Sequence, residues 1–208
     1  MTQRMPLADS LHVLKSLRED ADVVVATMGA AREWMKLGMH RLDFIYAPSA
    51  MGEAPLVGLG IALAQPWRRV FVCNGDGCLL MNLGCLVSIT AAAPVNYTLL
   101  LFDNAVYEVT GGQATAADAR VRRGGAVDYC NIARGCGFET VHDFSQLEVW
   151  QTHARRVLCE RGPRFIRLAV EPVPGGEVPR SPGPPPARAR DFAAALALPQ
   201  PPTSPHSG

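Results

Sequence analysis

The stretch that most constrains the fold is 70–113, VFVCNGDGCLLMNLGCLVSITAAAPVNYTLLLFDNAVYEVTGGQ. Val70–Cys73 is a short apolar run, and Asn74-Gly75-Asp76-Gly77 breaks it. From Leu79 to Ala93 the chain is long and mostly apolar, which predicts a buried crossover helix. Tyr97–Phe102 is apolar again and stops at Asp103-Asn104. Strand, helix and strand within about 30 residues form the unit that joins two parallel strands by a right-handed crossover. The chain therefore reads as α/β, a doubly wound, mostly parallel open sheet with helices on both faces. Asp76 and Asn104 then lie just past the carboxyl ends of two strands, the edge at which such sheets bind ligands.

The residue types at that edge point to one chemistry. Gly75 and Gly77 let the backbone approach a ligand closely. The N-terminus of the following helix favours an anion such as a diphosphate. Asp76 and the Asn104 amide oxygen are hard donors suited to Mg²⁺ or Ca²⁺, and Mg²⁺ commonly combines a few protein oxygens with phosphate oxygens and water. The stretch predicts a Mg²⁺–diphosphate site.

Gly75-Asp76-Gly77, a gap over 78–102 and then Asp103-Asn104 resemble the thiamine diphosphate (ThDP) motif. GDGCLLMNLGCLVSI and LFDNAVYEVTGGQ resemble the β subunit, or C-terminal domain, of sulfopyruvate and phosphonopyruvate decarboxylases, and the likeness covers 22–170. It implies that Asp76, Asn104 and the backbone carbonyl of Val106 ligate the metal. It also places Gly75, Gly77, Cys78 and Tyr107 against the cofactor, and Thr110 beside its thiazolium ring as the catalytic side chain. APSAMGEAP is similar to the turn that holds the aminopyrimidine ring. There the Ser49 carbonyl matches the acceptor for the exocyclic amine, Met51 the apolar wedge and Gly52 the turn itself. The bent cofactor brings that amine against the reactive carbon, a proximity effect.

The chain departs from the pattern twice. Ser49-Ala50 stands where the family usually has Gly-Ser, and Cys78 where a serine follows GDG. A thiol donates more weakly than a hydroxyl, so reduced cofactor affinity is expected. ATMGAAREW resembles the TGxxSREL stretch of these decarboxylases, which leaves Arg32 and Glu33 as either substrate contacts or a helix-end ion pair. Arg120, Arg122 and Arg123 are either binders of a sulfonate or phosphonate or solvated loop charges. The polar segment after Asn104 is a candidate lid.

In this superfamily the Glu that activates the cofactor belongs to a separate pyrimidine-binding domain. The length of 208 residues accommodates one such domain, so the resemblance implies an α subunit that supplies the Glu, in an α₂β₂ or larger assembly. The implied reaction is decarboxylation of a 2-oxo acid to an aldehyde, with the organic chemistry carried by ThDP. Two other readings stand beside it. One is a subunit of another ThDP enzyme, a carboligase or a 2-oxo acid or aldehyde oxidoreductase; the other is a non-catalytic ThDP- or partner-binding domain. A Rossmann NAD site is disfavoured because no GxGxxG opens the first helix.

The remaining sequence frames this site. A composition of 48% hydrophobic and 19% charged residues suits one domain with a full core over 1–171. The net charge of +1 gives no sign of a nucleic-acid or membrane partner. No apolar run reaches the roughly 20 residues that span a bilayer. The start of the chain lacks the apolar core of a signal peptide, and the six cysteines show no CxxC spacing, so reduced thiols in the cytoplasm are expected. Helices are predicted over 9–20 (capped by Asp9 or Ser10), 30–37, 126–134 and 145–161 (capped by Ser145), with strands at 23–26, 43–46, 138–141 and 165–170. His40, His142 and His153 read as structural. Eleven of the 17 prolines lie in 172–208, which reads as a disordered tail with a short helix possible over 187–198.

Overall fold

Unbroken apolar runs such as Val23-Val24-Val25-Ala26 suit strands covered on both faces, and that is how the chain uses them. The computed structural model describes residues 3–46, 51–173 and 182–198. Its centre is a six-stranded sheet of order β2-β1-β3-β4-β8-β7. The strands are β1 (Val23–Thr27), β2 (Asp43–Tyr46), β3 (Val70–Gly75), β4 (Tyr97–Asp103), β7 (Thr140–Phe144) and β8 (Arg164–Ala169), and every neighbouring pair is parallel. A two-stranded antiparallel hairpin, β5 (Val106–Tyr107) and β6 (Gln113–Ala114), stands apart from it.

Helices cover both faces, as expected for a doubly wound sheet. On one face α1 (Leu7–Leu17), α2 (Met28–Lys36) and α7 (Leu147–Cys159) bury Leu11, Leu14, Trp34, Trp150 and Leu158 against Phe71, Leu100 and Ile166. On the other, α3 (Ala54–Ala64), α4 (Asp76–Leu80), α5 (Cys85–Ala92) and α6 (Tyr129–Gly135) pack Leu59, Leu79, Leu86 and Tyr129 over Val72, Leu99 and Phe165. Helix α3 lies directly on β3. A Cβ at Gly58 would come 2.2 Å from Val72 Cγ2, so only glycine permits that approach. The Tyr97 hydroxyl donates to the Pro55 carbonyl at 3.0 Å, which ties α3 to β4 as well.

Several local expectations are corrected. The single crossover helix predicted over 79–93 is two helices, α4 and α5, separated by turns at 81–84. Backbone bonds Met81 N to Cys78 O (3.3 Å) and Cys85 N to Asn82 O (3.2 Å) are the tighter i to i−3 kind, and Asn82 Nδ2 instead reaches the Gly52 carbonyl at 3.1 Å. Neither Asp9, Ser10 nor Ser145 caps a helix. Ser10 Oγ donates to Leu7 O, Pro6 precedes α1 and Gln146 precedes α7. Asp128 does cap α6, accepting from Asn131 N at 2.9 Å.

Within the proline-rich stretch, Pro185–Leu196 forms α8 and packs on the domain's own sheet edge. Phe192 is buried with its ring centroid 4.9 Å from that of Phe44 in β2. Arg188 donates to the Ile45 carbonyl, and buried Arg68 donates to Leu198 O at 3.1 Å. Among the described residues no helix is long and apolar enough to cross a membrane.

Candidate functional site

β1 is followed in sequence by β2 on one side, while β3 pairs with its other side. This reversal opens a crevice at the carboxyl edge of the sheet. The turns after β1 and β3 therefore face it, and the turn after β4 lies beside them. In the register, Gly75 of β3 pairs with Phe102 of β4. Asp76, the first residue of α4, and Asp103, the last of β4, come one position further along the chain, and Asn104 follows. The two turns singled out in the sequence are thus brought to one edge.

Asp76 is 1% exposed. Thr115 Oγ1 donates to its Oδ2 at 3.2 Å, and backbone N–H groups at 76 and 77 also bond it. Among the described residues no Lys, Arg or His forms an ion pair with it. Burial first, then the neighbouring Asp103, pushes its carboxyl up to about 7. An anion enclosed without a counter-charge is costly. The arrangement fits a divalent cation, which supplies the missing charge through hard oxygen donors.

Asn104 is oriented by two bonds. Its Oδ1 accepts from Val106 N at 3.0 Å, and its Nδ2 donates to Glu108 Oε1 at 2.8 Å. Ala105 follows at φ +62°, a left-handed conformation that non-glycine residues rarely adopt and that clusters at functional sites. Asp103 supports the same turn. Its Oδ2 accepts from Arg167 Nε (2.8 Å) and Nη2 (2.6 Å), and its Oδ1 from Ala105 N at 3.2 Å. Val106 and Tyr107 form β5, whose pairing Val106↔Ala114 folds the predicted lid segment back as a hairpin. That hairpin delivers Thr115 to Asp76.

At Gly77 the reason for glycine is a side chain. A Cβ there would meet Tyr107 Cε1 at 2.6 Å and Cδ1 at 2.7 Å. Gly75 is different: a Cβ would meet nothing within 4 Å, so its backbone borders open space. Cys78 is buried, and burial pushes its thiol up to about 11. Helix α4 has only five residues, so the anion-favouring field expected there comes from single N–H groups more than from a long dipole.

Gly52, at φ +92°, turns the chain beneath Asn82, with Met51 half-buried beside it. Ser49 lies outside the described residues. Thr110 is exposed at the end of a short 3₁₀ turn (Glu108–Thr110), and its hydroxyl accepts from Gln113 Nε2 at 2.5 Å. Arg32 pairs with Glu33 and Glu108, both at 3.1 Å, which is the ion-pair alternative for that residue. Arg120 pairs with Asp118 at 2.7 Å, and Arg122 donates to Gly125 O at 3.1 Å.

Four residues at this edge have roles that escaped the sequence reading. Thr115 and Glu108 bond the two motif side chains, and no spacing rule marks either. Tyr129, at the start of α6, is buried with a hydroxyl that has no hydrogen-bond partner among the described residues. Burial, then Asp76 and Asp103, push its phenol up. Asn74, 0% exposed, likewise leaves both amide atoms without partners among the described residues.

The family model described as "Thiamine pyrophosphate enzyme, C-terminal TPP binding domain" matches residues 22–168. The chain belongs to this family. A phosphonopyruvate decarboxylase of Streptomyces viridochromogenes is 39% identical over 160 residues, 77% of this chain and 38% of that one. The chain thus spans about two-fifths of that relative's length. The sulfopyruvate decarboxylase subunit beta of Methanothermobacter thermautotrophicus is 39% identical over 165 residues, 79% of this chain and 81% of that one. A solved structure of a candidate thiamin diphosphate-dependent enzyme from Mycobacterium smegmatis superposes with a TM-score of 0.66 at 17% identity, over 81% of this chain and 32% of that one. That likeness shows the fold. The matched residues of the TPP-binding domain run from before β1 into β8 and include both turns of the site.

Proposed function

We propose that this chain is the diphosphate-binding subunit of a ThDP- and Mg²⁺-dependent 2-oxo acid decarboxylase, acting on sulfopyruvate or phosphonopyruvate. The observation that carries the reading is Asp76, a buried carboxylate without a counter-ion among the described residues, at the same sheet edge as Asn104. The relative that this chain covers over 81% of its length is a sulfopyruvate decarboxylase β subunit, which supports the substrate class and a separate α partner.

In this reading Asp76, the Asn104 amide oxygen and the Val106 carbonyl hold Mg²⁺. The Gly75–Cys78 backbone and Tyr107 border the diphosphate, and Ser49, Met51 and Gly52 hold the aminopyrimidine. Bound ThDP supplies the electron sink for loss of CO₂. The chain's own work is to neutralise and orient. The glycine turn admits the phosphates, and the cation balances Asp76. Thr110, exposed on the hairpin, is the side chain this reading sets beside the thiazolium ring. The α subunit contributes the activating Glu in an α₂β₂ or larger assembly. Acid–base help of that kind is worth about 10²–10⁴ in rate, so this chain alone is expected to bind ThDP and Mg²⁺ but not to turn over.

The test is calorimetry of ThDP with Mg²⁺, followed by a 2-oxo acid panel with the partner present. Heat that disappears in Asp76→Ala, with CO₂ and aldehyde released from an anionic 2-oxo acid, is expected. No ThDP–Mg²⁺ heat even with the partner overturns the reading.

A further inference from the structure

Asn104 is a two-faced side chain. Its amide presents an oxygen at one end and two N–H donors at the other, and only the oxygen can serve a cation. Glu108 takes the nitrogen end. Its Oε1 accepts from Asn104 Nδ2 at 2.8 Å and from Val173 N at 2.7 Å. Its Oε2 accepts from Arg32 Nη2 at 3.1 Å. Both carboxylate oxygens are therefore engaged by N–H groups. Arg32 is held in turn by Glu33 at 3.1 Å, and the Arg32 and Glu108 side chains are only 11% and 12% exposed. The backbone leaves room for this pair. A Cβ at Gly29, in the first turn of α2, would come 3.1 Å from Glu108 Oε2.

The Val106 N–H bond to Asn104 Oδ1 agrees with the same orientation. A carboxylate cannot accept from an amide oxygen, so flipping Asn104 would lose the Glu108 bond and set two oxygens against each other. We infer that Glu108 is a positioning residue: anchored by Arg32, it fixes the Asn104 amide so that its oxygen faces the divalent cation. The inference rests on the reading of Asn104 as a metal ligand under Proposed function. Groups that orient a metal ligand from behind are typically worth about 10–100-fold in metal affinity.

The experiment uses Mn²⁺ as the probe, titrated into the full chain with saturating ThDP and followed by the EPR signal of free Mn²⁺. Wild type is expected to take up Mn²⁺ only with ThDP, and Asp76→Ala to abolish uptake. Glu108→Ala is expected to weaken uptake about 10–100-fold. Glu108→Gln keeps an oxygen acceptor for Asn104 and is expected within about threefold of wild type, a rescue that loss of a merely structural contact would not give. Glu108→Ser, which keeps the turn polar but lacks the reach, replaces the alanine variant if circular dichroism shows that variant unfolded. Wild-type affinity in Glu108→Ala or Glu108→Ser, with Asp76→Ala inactive in binding, overturns the inference alone. So does a glutamine variant as weak as alanine. Absence of ThDP-dependent uptake in wild type, or uptake undiminished in Asp76→Ala, overturns the metal site itself.

Discussion

The Thr115 hydroxyl donates to the Asp76 carboxylate at 3.2 Å, fastening the hairpin after β4 to the turn after β3. This bond favours the charged carboxylate, while burial and Asp103 oppose it and win, leaving the group at about 7 against an ordinary 3.8. Below about 7 the folded chain holds a proton that the unfolded chain releases down to 3.8. The metal-free chain therefore loses stability as pH rises through that window, and Asp76→Asn flattens the slope in thermal melts. A cation must displace the same proton. Mn²⁺ affinity should fall about tenfold per pH unit below about 7, and Thr115→Val should move the onset of that fall upward.

Gly77 and Tyr107 form a second coupled pair. Gly77→Ala drives a Cβ to 2.6 Å from the Tyr107 ring, so the hairpin must shift. A loss of about 1–3 kcal/mol in urea unfolding is expected, together with weaker ThDP–Mg²⁺ binding. Tyr107→Ala in the same chain should recover most of the stability. Strict additivity of the two substitutions would rule out the coupling.

Asp43 anchors the far side of the sheet. Its carboxylate accepts from Arg18, from Trp34 Nε1 at 3.0 Å and from His40 N at 2.8 Å, with its side chain wholly buried. Removing one partner from a buried ion pair leaves the other charge uncompensated. Asp43→Ala is expected to destabilise by about 3–5 kcal/mol, read from the urea midpoint. ThDP affinity at the opposite edge should stay near wild type at temperatures where the variant is folded.

Helix α8 covers the outermost strand, β2. Phe192→Ala removes the ring packed 4.9 Å from Phe44 and should cost about 3 kcal/mol. Deleting residues 182–208 exposes a strand edge, and such edges pair with other chains. Concentration-dependent association in size-exclusion chromatography is the expected outcome.

Much of this architecture is legible in the sequence because its signals are local. Val70–Cys73 and Tyr97–Phe102 are apolar on both faces, and GDG and DN end them where the strands end. What escapes the sequence is set by contacts between distant residues. The crossover helix breaks where Asn82 turns aside to Gly52, thirty positions away in the chain. Thr115 reaches Asp76 only because β5 and β6 fold back on each other. Glu108 meets Arg32 across 76 positions, and α8 finds β2 from the far end of the chain. Propensity and periodicity carry no information about such meetings.

Gly58, with no side chain to cushion α3 from Val72, lets the helix pack directly on β3. The turn at Gly52 leads into that helix, and the turn at Gly75 leads out of that strand. The grips proposed for the two ends of the coenzyme are therefore spaced by a packed helix and strand. A ligand of the right length finds its distance already set and loses little entropy on docking. Under the proposed function, a longer ligand would have to pull that helix and strand apart, so the spacing is expected to select for length before any contact with the reacting group is made.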